Sequence, residues 1–460
     1  MTCKIPAHRV ASRAAAAPWR KTAARTIVAG RPTDFAARAA VLLLSAAVLL
    51  LAAQMAYAKS TVVFWSNHRQ EDEAAFLQLI DAFQRENPDI EIEWENQIDG
   101  EVDYYGKLTV AILGGVAPDV FYVRPGTDAS FAQSGWTYDI DPLVQRDAVE
   151  LRIEDFIPAQ LGELMHRGKW WALPFDFSAI GLYYNQEMFD AAWLPYPSPG
   201  WTWDDVKEAS RHLTRRAGDQ TTQWALHGLN WYFSQWAEGF IMSFGGRLFD
   251  ESYAESRAND PATVEALQLP VELVHEMQVA PRFDTPNYSA LFRSGQAAMA
   301  LDGSWATTTH RAFNPFRFDV SSLPAGPAGL TVSATGGGWA MSADTDVPEA
   351  AWKWMKFLAS HEASRKLIVE PVRSLPPRIS LMGEWAEQIV AQGAPQSALH
   401  LATQVVEHGR AIPQVGFSYA GILQAYRNQL VHGEISAREA AEQVHHAFQT
   451  ELERLRQEEQ

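Results

Sequence analysis

Thr61-Val62-Val63-Phe64-Trp65, Ile90-Glu91-Ile92-Glu93-Trp94 and Val120-Phe121-Tyr122-Val123 are the three runs on which the fold turns. The first and third are continuous apolar stretches, as expected of strands covered on both faces. The second alternates apolar and acidic residues, the period of a strand with one wet face. Between the first two lies a helical pattern with Phe76, Leu79, Ile80 and Phe83 on one side, stopped at Asn87-Pro88. Between the second and third, a helical stretch from Tyr105 to Leu113 ends at Gly114-Gly115. Strand, helix, strand, helix, strand in this order predicts a mostly parallel sheet with right-handed crossovers.

Working outward, the middle of the chain is more helical. Thr202 is placed to cap a helix whose third residue is Asp205, a variant of the capping box. Asp260-Pro261 and Pro348 start two more, with Pro at the first helical position. The second of these turns Trp352, Met355 and Leu358, or Trp354 and Phe357, inward. A last helix, Ser436 to Gln457, carries Val444, Phe448, Leu452 and Leu455 as a stripe. With 460 residues the chain exceeds one ordinary core and suits two. No stretch reads as a free linker, so several crossing strands are expected to join the halves.

The first 58 residues read as a leader rather than fold. Eight Lys/Arg against one acid precede an apolar run, Ala39 to Ala53, and then Ala56-Tyr57-Ala58, a small-x-small triplet. That order is a signal peptide. The competing reading, an uncleaved anchor, needs about 20 apolar residues, more than this run offers. The only cysteine, Cys3, falls inside the leader. The remainder therefore has no disulfide, no cysteine metal site, no thiol nucleophile and no cysteine to carry a lipid. A monomer free in a bacterial periplasm is the expectation. Without the leader the formal charge moves from −17 to about −24, a field that repels nucleic acid.

Catalytic motifs do not stand out. There is no G-x-S-x-G elbow. His275-Glu276 lacks the second His of a zinc helix, and Gly336-Gly337-Gly338 leads to Trp339 rather than to the Lys of a phosphate loop. No cofactor and no metal are expected. A carbohydrate-active hydrolase with two carboxylates facing each other in space stays open, because such pairs leave no mark in sequence.

Several segments, in order, resemble the extracellular solute-binding proteins of sugar-type ABC importers, the group that includes maltose-binding protein. They are Val62-Val63-Phe64-Trp65-Ser66, Phe83-Gln84-Arg85-Glu86-Asn87-Pro88, Ala117-Pro118-Asp119-Val120, and Trp171-Ala172-Leu173-Pro174-Phe175-Asp176 with Leu182-Tyr183-Tyr184-Asn185. Gly200-Trp201-Thr202-Trp203, Gly295-Gln296-Ala297-Ala298-Met299, Gly303-Ser304-Trp305, Gly336-Gly337-Gly338-Trp339 and Ala350-Ala351-Trp352 continue the series. The resemblance implies an α/β, two-lobed periplasmic-binding-protein fold of the type II kind. Each lobe would be a mostly parallel sheet flanked by helices, built from discontinuous chain. By motif, lobe one would be 59–174 plus 303–342, and lobe two 178–300 plus 346–460. Hinges would lie near 174–178, 301–303 and 342–347. The implied activity is capture of a sugar, oligosaccharide or polyol in the cleft and delivery to a membrane permease. A glycerol-phosphodiester binder of the same fold is the alternative.

A sugar presents hydroxyls and an apolar C–H face, so its site wants amides, carboxylates and Arg together with an aromatic plane. Candidates at strand ends are Trp65, Asn67, Tyr122 and Arg124, since ligands gather outside the carboxyl ends of strands in open α/β sheets. Asp176 falls in the first hinge, as a ligand-facing carboxylate or a hinge-fixing cap. Trp231 and Trp305 are stacking candidates. Gly337 and Gly338 can bring backbone N–H groups close to a ligand, and Trp339 adjoins them. Arg373 stands where the family has Gly, which suggests an altered and even anionic contact. Phe417 and Tyr419 are further candidates.

Overall fold

A computed structural model describes residues 59–458, apart from 69–71, 98–100, 125–128, 167, 394–395 and 414. The basic leader, its apolar run and the Ala56-Tyr57-Ala58 triplet lie outside the described residues. None of the described helices is long and apolar enough to cross a membrane.

The three opening runs form strands Ser60–Ser66, Ile90–Asn96 and Val120–Val123, mutually parallel with Ser60–Ser66 in the middle. The helix Glu73–Glu86 buries Phe76, Leu79, Ile80 and Phe83, as its spacing predicts. Beyond Val120–Val123 the sheet continues with Gly338–Met341, antiparallel, and then Ala172–Pro174. These strands and their helices close over one core, lobe one.

The second sheet is organised around Ser178–Asn185, buried along its whole length. Its neighbours are Ala297–Gly303, Phe318–Ser321 and Val332–Thr335, all antiparallel to it. Gln220–His227 then adds in parallel to Ala297–Gly303. Side chains alternate between two cores: Ile180, Leu182 and Tyr184 face one, Ala179 and Tyr183 the other. The two-lobed α/β expectation holds, but the sheet of lobe two is mixed rather than mostly parallel. The reason is topological. Ser178–Asn185 carries the chain away from the hinge, and its neighbours bring it back.

The expected lobe boundaries need correcting at two crossings. Strands Phe318–Ser321 and Val332–Thr335 belong to the second sheet, so the chain returns to lobe one at Thr335–Gly338 and not near 301–303. The helix Pro348–Leu358 then packs into lobe one, with the Trp354 ring 5.5 Å from Phe64 and 5.0 Å from Phe83. Leu367 and Ile368 still belong to that core, whereas Val369, Val372 and Leu375 belong to lobe two. The last crossing is therefore at 369–375, not 342–347. Ala172–Pro174 and Ser178–Asn185 lie in different sheets, so the chain also crosses at 174–178.

Local signals fared well. Thr202 accepts a hydrogen bond from the Asp205 amide while the Asp205 carboxylate accepts one from the Thr202 amide, a complete capping box. Pro261 and Pro348 start their helices as predicted.

Candidate functional site

The register of Ser178–Asn185 fixes what gathers at its hinge end. Thr335 pairs with Ser178 on one side and Gly303 with Ile180 on the other. Gly337 and Trp305 are thereby held on opposite flanks of the Asp176-Phe177 crossing.

At the crossing, Asp176 acts as a clasp. Its Oδ1 accepts the Gly337 N–H at 2.7 Å, and its Oδ2 accepts the Ser374 hydroxyl at 3.0 Å. One carboxylate thus ties together all three crossing segments. Gln160 reinforces it, its Nε2 donating to the backbone oxygens of Asp176 at 2.6 Å and Gly337 at 3.1 Å. A Cβ on Gly336 would strike the Asp176 carbonyl, and one on Gly337 the Tyr122 ring, so this close approach requires glycine. Of the two roles expected for Asp176, both of its carboxylate oxygens serve the hinge. Glu163, fully buried, accepts the Ile412 amide at 3.1 Å alongside Thr335 and Gly336. Its burial raises the carboxyl well above the ordinary range, against the lowering effect of these hydrogen bonds.

The lobe-one wall is an aromatic box. The His68 ring lies 5.2 Å from Tyr122, 4.9 Å from Phe175, 4.7 Å from Phe76 and, stacked, 5.5 Å from Trp339. Burial, and then the nearby charge of Arg373, hold His68 well below the usual imidazole value. Arg373 donates to the Asp72 carboxylate and lies 5.6 Å over the Phe175 ring. Asn67 is half-buried beside His68, and Arg124 lies 5.5 Å over the Tyr105 ring. Trp65 is half-buried against the lobe-one core.

Trp339 is the clear correction among the candidates. It is 0% exposed and packed against Phe64, His68, Phe76, Tyr122 and Phe175. On a short strand between two others, its ring must enter the core rather than the groove. It supports the wall from behind. Tyr419 is likewise buried, its hydroxyl donating to the Gln235 carbonyl at 2.8 Å.

The lobe-two wall is a shelf of three indoles. Trp305 is half-buried, 5.6 Å from Trp231 at 77° and 5.7 Å from Trp236 at 36°. Gly303 makes room for it: a Cβ there would sit 2.2 Å from the Trp305 ring. Behind the shelf His310 Nε2 lies 3.0 Å from Asp302 Oδ2. Glu238, on the helix Ala237–Met242, accepts the Leu248 amide at 2.9 Å, and burial pushes its carboxyl up to about 7. Sequence reading missed His68, Asp72, Gln160, Glu163, Trp236 and Ser374. His68 and Trp236 were signalled by adjacency to Asn67 and Trp231; the others carried no signal. Among the described residues, no group of three or more His, Cys, Asp or Glu is placed to hold a metal.

Two α/β lobes joined by three crossings, with aromatic walls meeting at a clasped hinge, define a binding protein of the two-lobed periplasmic class. The chain belongs to the bacterial extracellular solute-binding protein family, whose pattern matches residues 67–365. It is 24% identical over 324 residues to the maltotriose-binding protein of Pyrococcus abyssi, a match covering 67% of this chain and 65% of that protein, just under two thirds of its length. It is 24% identical to the sn-glycerol-3-phosphate-binding periplasmic protein of Shigella flexneri, covering 67% and 72%. Its fold is similar to that of an ABC substrate-binding protein from Listeria monocytogenes in complex with cycloalternan (TM-score 0.74, 21% identity, 85% and 98% covered). It is also similar to UgpB from Mycobacterium tuberculosis in complex with glycerophosphocholine (TM-score 0.73, 21% identity, 86% and 99% covered).

Proposed function

We propose that this chain is the substrate-binding component of an ABC importer, working as a periplasmic monomer released from its leader. It takes a sugar, oligosaccharide or polyol between the lobes, closes, and delivers it to a membrane permease without chemical change. The observation that carries this reading is the half-buried Trp231–Trp305 pair, together with three crossings tied by Asp176. An indole face matches the C–H face of a sugar ring, and the amide and hydroxyl groups of the other wall match its hydroxyls. Asn67, Tyr122, Arg124, Trp231, Trp305, Gly337 and Arg373 are the proposed contacts, with Trp65 at the rim and Gly338 beside Gly337. Closure about the hinge is the expected motion. Relatives named for sn-glycerol 3-phosphate and glycerophosphocholine, together with Arg124 and Arg373, make a phosphodiester the second reading.

Thermal melts of the purified protein against neutral oligosaccharides, polyols and glycerol phosphodiesters test the reading. A saturable rise in Tm is expected, since a ligand specific for the folded state stabilises it by mass action. The solute should be recovered intact. Release of hydrolysed product would instead assign the protein to the carbohydrate-active hydrolases.

A further inference from the structure

We infer that Asp72 sets the permitted charge of the ligand: by engaging the guanidinium of Arg373 it closes the hinge end of the groove to anions and leaves it open to uncharged polyhydroxylic solutes. This deepens the binding reading above and rests on it.

Arg373 enters the groove from the third crossing. It follows Val372, whose φ of 53° is left-handed, a rare conformation for a β-branched residue. The Arg373 amide is fixed to the Ile368 carbonyl at 3.0 Å. The side chain is only 16% exposed, held between Asp72 and the Phe175 ring. His68 beside it is held well below the usual imidazole value by burial and by Arg373, so Arg373 is the charged donor of this pair.

Two carboxylates already stand there. Asp72 is ion-paired with Arg373 and buried. Asp176 is hydrogen-bonded by the Gly337 N–H and the Ser374 hydroxyl, both uncharged donors. A phosphate reaching the Arg373 guanidinium would have to displace Asp72. Breaking a buried ion pair is costly. A neutral hydroxyl meets no such opposition. It can accept from a guanidinium N–H and donate to a carboxylate oxygen without moving either. Asp72 and Arg373 are 301 residues apart in the chain, which is why the Arg alone reads as an anion contact and the pair does not.

The test is Asp72→Asn. Asn keeps the size of the residue and is equally favoured at a helix start, and Asp72 directly precedes the helix Glu73–Glu86. Calorimetric titration compares the wild-type protein and the variant with sn-glycerol 3-phosphate and with maltotriose. Affinity of the variant for sn-glycerol 3-phosphate should rise by about tenfold or more, as a freed guanidinium gains one charge-assisted bond. Adding Arg373→Gln to that variant should abolish the gain. Tight binding of sn-glycerol 3-phosphate by the wild type, or a folded Asp72→Asn protein with no gain, overturns the inference. Asp72→Ser, smaller and uncharged, is the second variant if the first does not fold. A wild-type protein that binds no neutral solute counts against the function proposed above, while the anion comparison between wild type and variant still decides the role of Asp72.

Discussion

The two walls of the groove use the same residue type in opposite ways. On lobe one the indole of Trp339 lies wholly inside, backing His68, Tyr122 and Phe175. On lobe two Trp231 and Trp305 stay half-buried, packed edge to face against each other. In the proposed site lobe one would supply polar edges and an ion pair against a rigid aromatic backing, and lobe two the stacking surface. A tryptophan beside a glycine motif can belong to either, and strand position decides. Trp339 lies on a strand flanked on both sides, whereas Trp305 follows the end of its strand and lies across Gly303.

Substitution separates the two uses. Trp339→Ala should destabilise the fold by about 3–5 kcal/mol, the range for deleting a large buried aromatic, read as a loss in denaturant midpoint. A loss under 1 kcal/mol would place Trp339 in the groove after all. The next largest effect is expected behind the lobe-two shelf. Glu238 has its folded value raised to about 7 from an ordinary 4.5. Below the unfolded value both states are protonated and the group contributes nothing. As pH rises from 4.5 through 7 the unfolded chain releases the proton first, so stability falls, by up to about 3 kcal/mol. Glu238→Gln should flatten that slope and raise Tm at pH 8 while leaving it unchanged near pH 4.5. His68 on lobe one has the opposite sign: its lowered value costs stability as pH falls below 6.5. An unaltered slope in Glu238→Gln would show that the lobes do not divide their titration in this way. Smaller again, Trp305→Ala should weaken a bound neutral solute by about 2 kcal/mol, roughly thirtyfold in Kd, with little change in Tm. Equal losses of affinity and stability would make Trp305 another core residue.

Much of the fold was legible because its signals are local. The capping box at Thr202 and Asp205, the prolines at 261 and 348 and the Asn87-Pro88 stop each act within one turn of chain. The two displaced crossings were not legible. Whether Val332–Thr335 pairs with Ser178 or with Val120 depends on competition between sheets, which no short motif encodes. Nor could the sequence decide between the two roles offered for Asp176, because Gly337 and Ser374 reach it from 161 and 198 residues away. The charge of Arg373 was read correctly and its partner was hidden by the same distance.

The central claim is that the lobes close around one solute held between these walls. Small-angle X-ray scattering of the purified protein, alone and saturated with a neutral oligosaccharide that raises its Tm, tests this directly. The account predicts a smaller radius of gyration with ligand and the solute recovered unchanged. An identical radius in both states at saturation would contradict it.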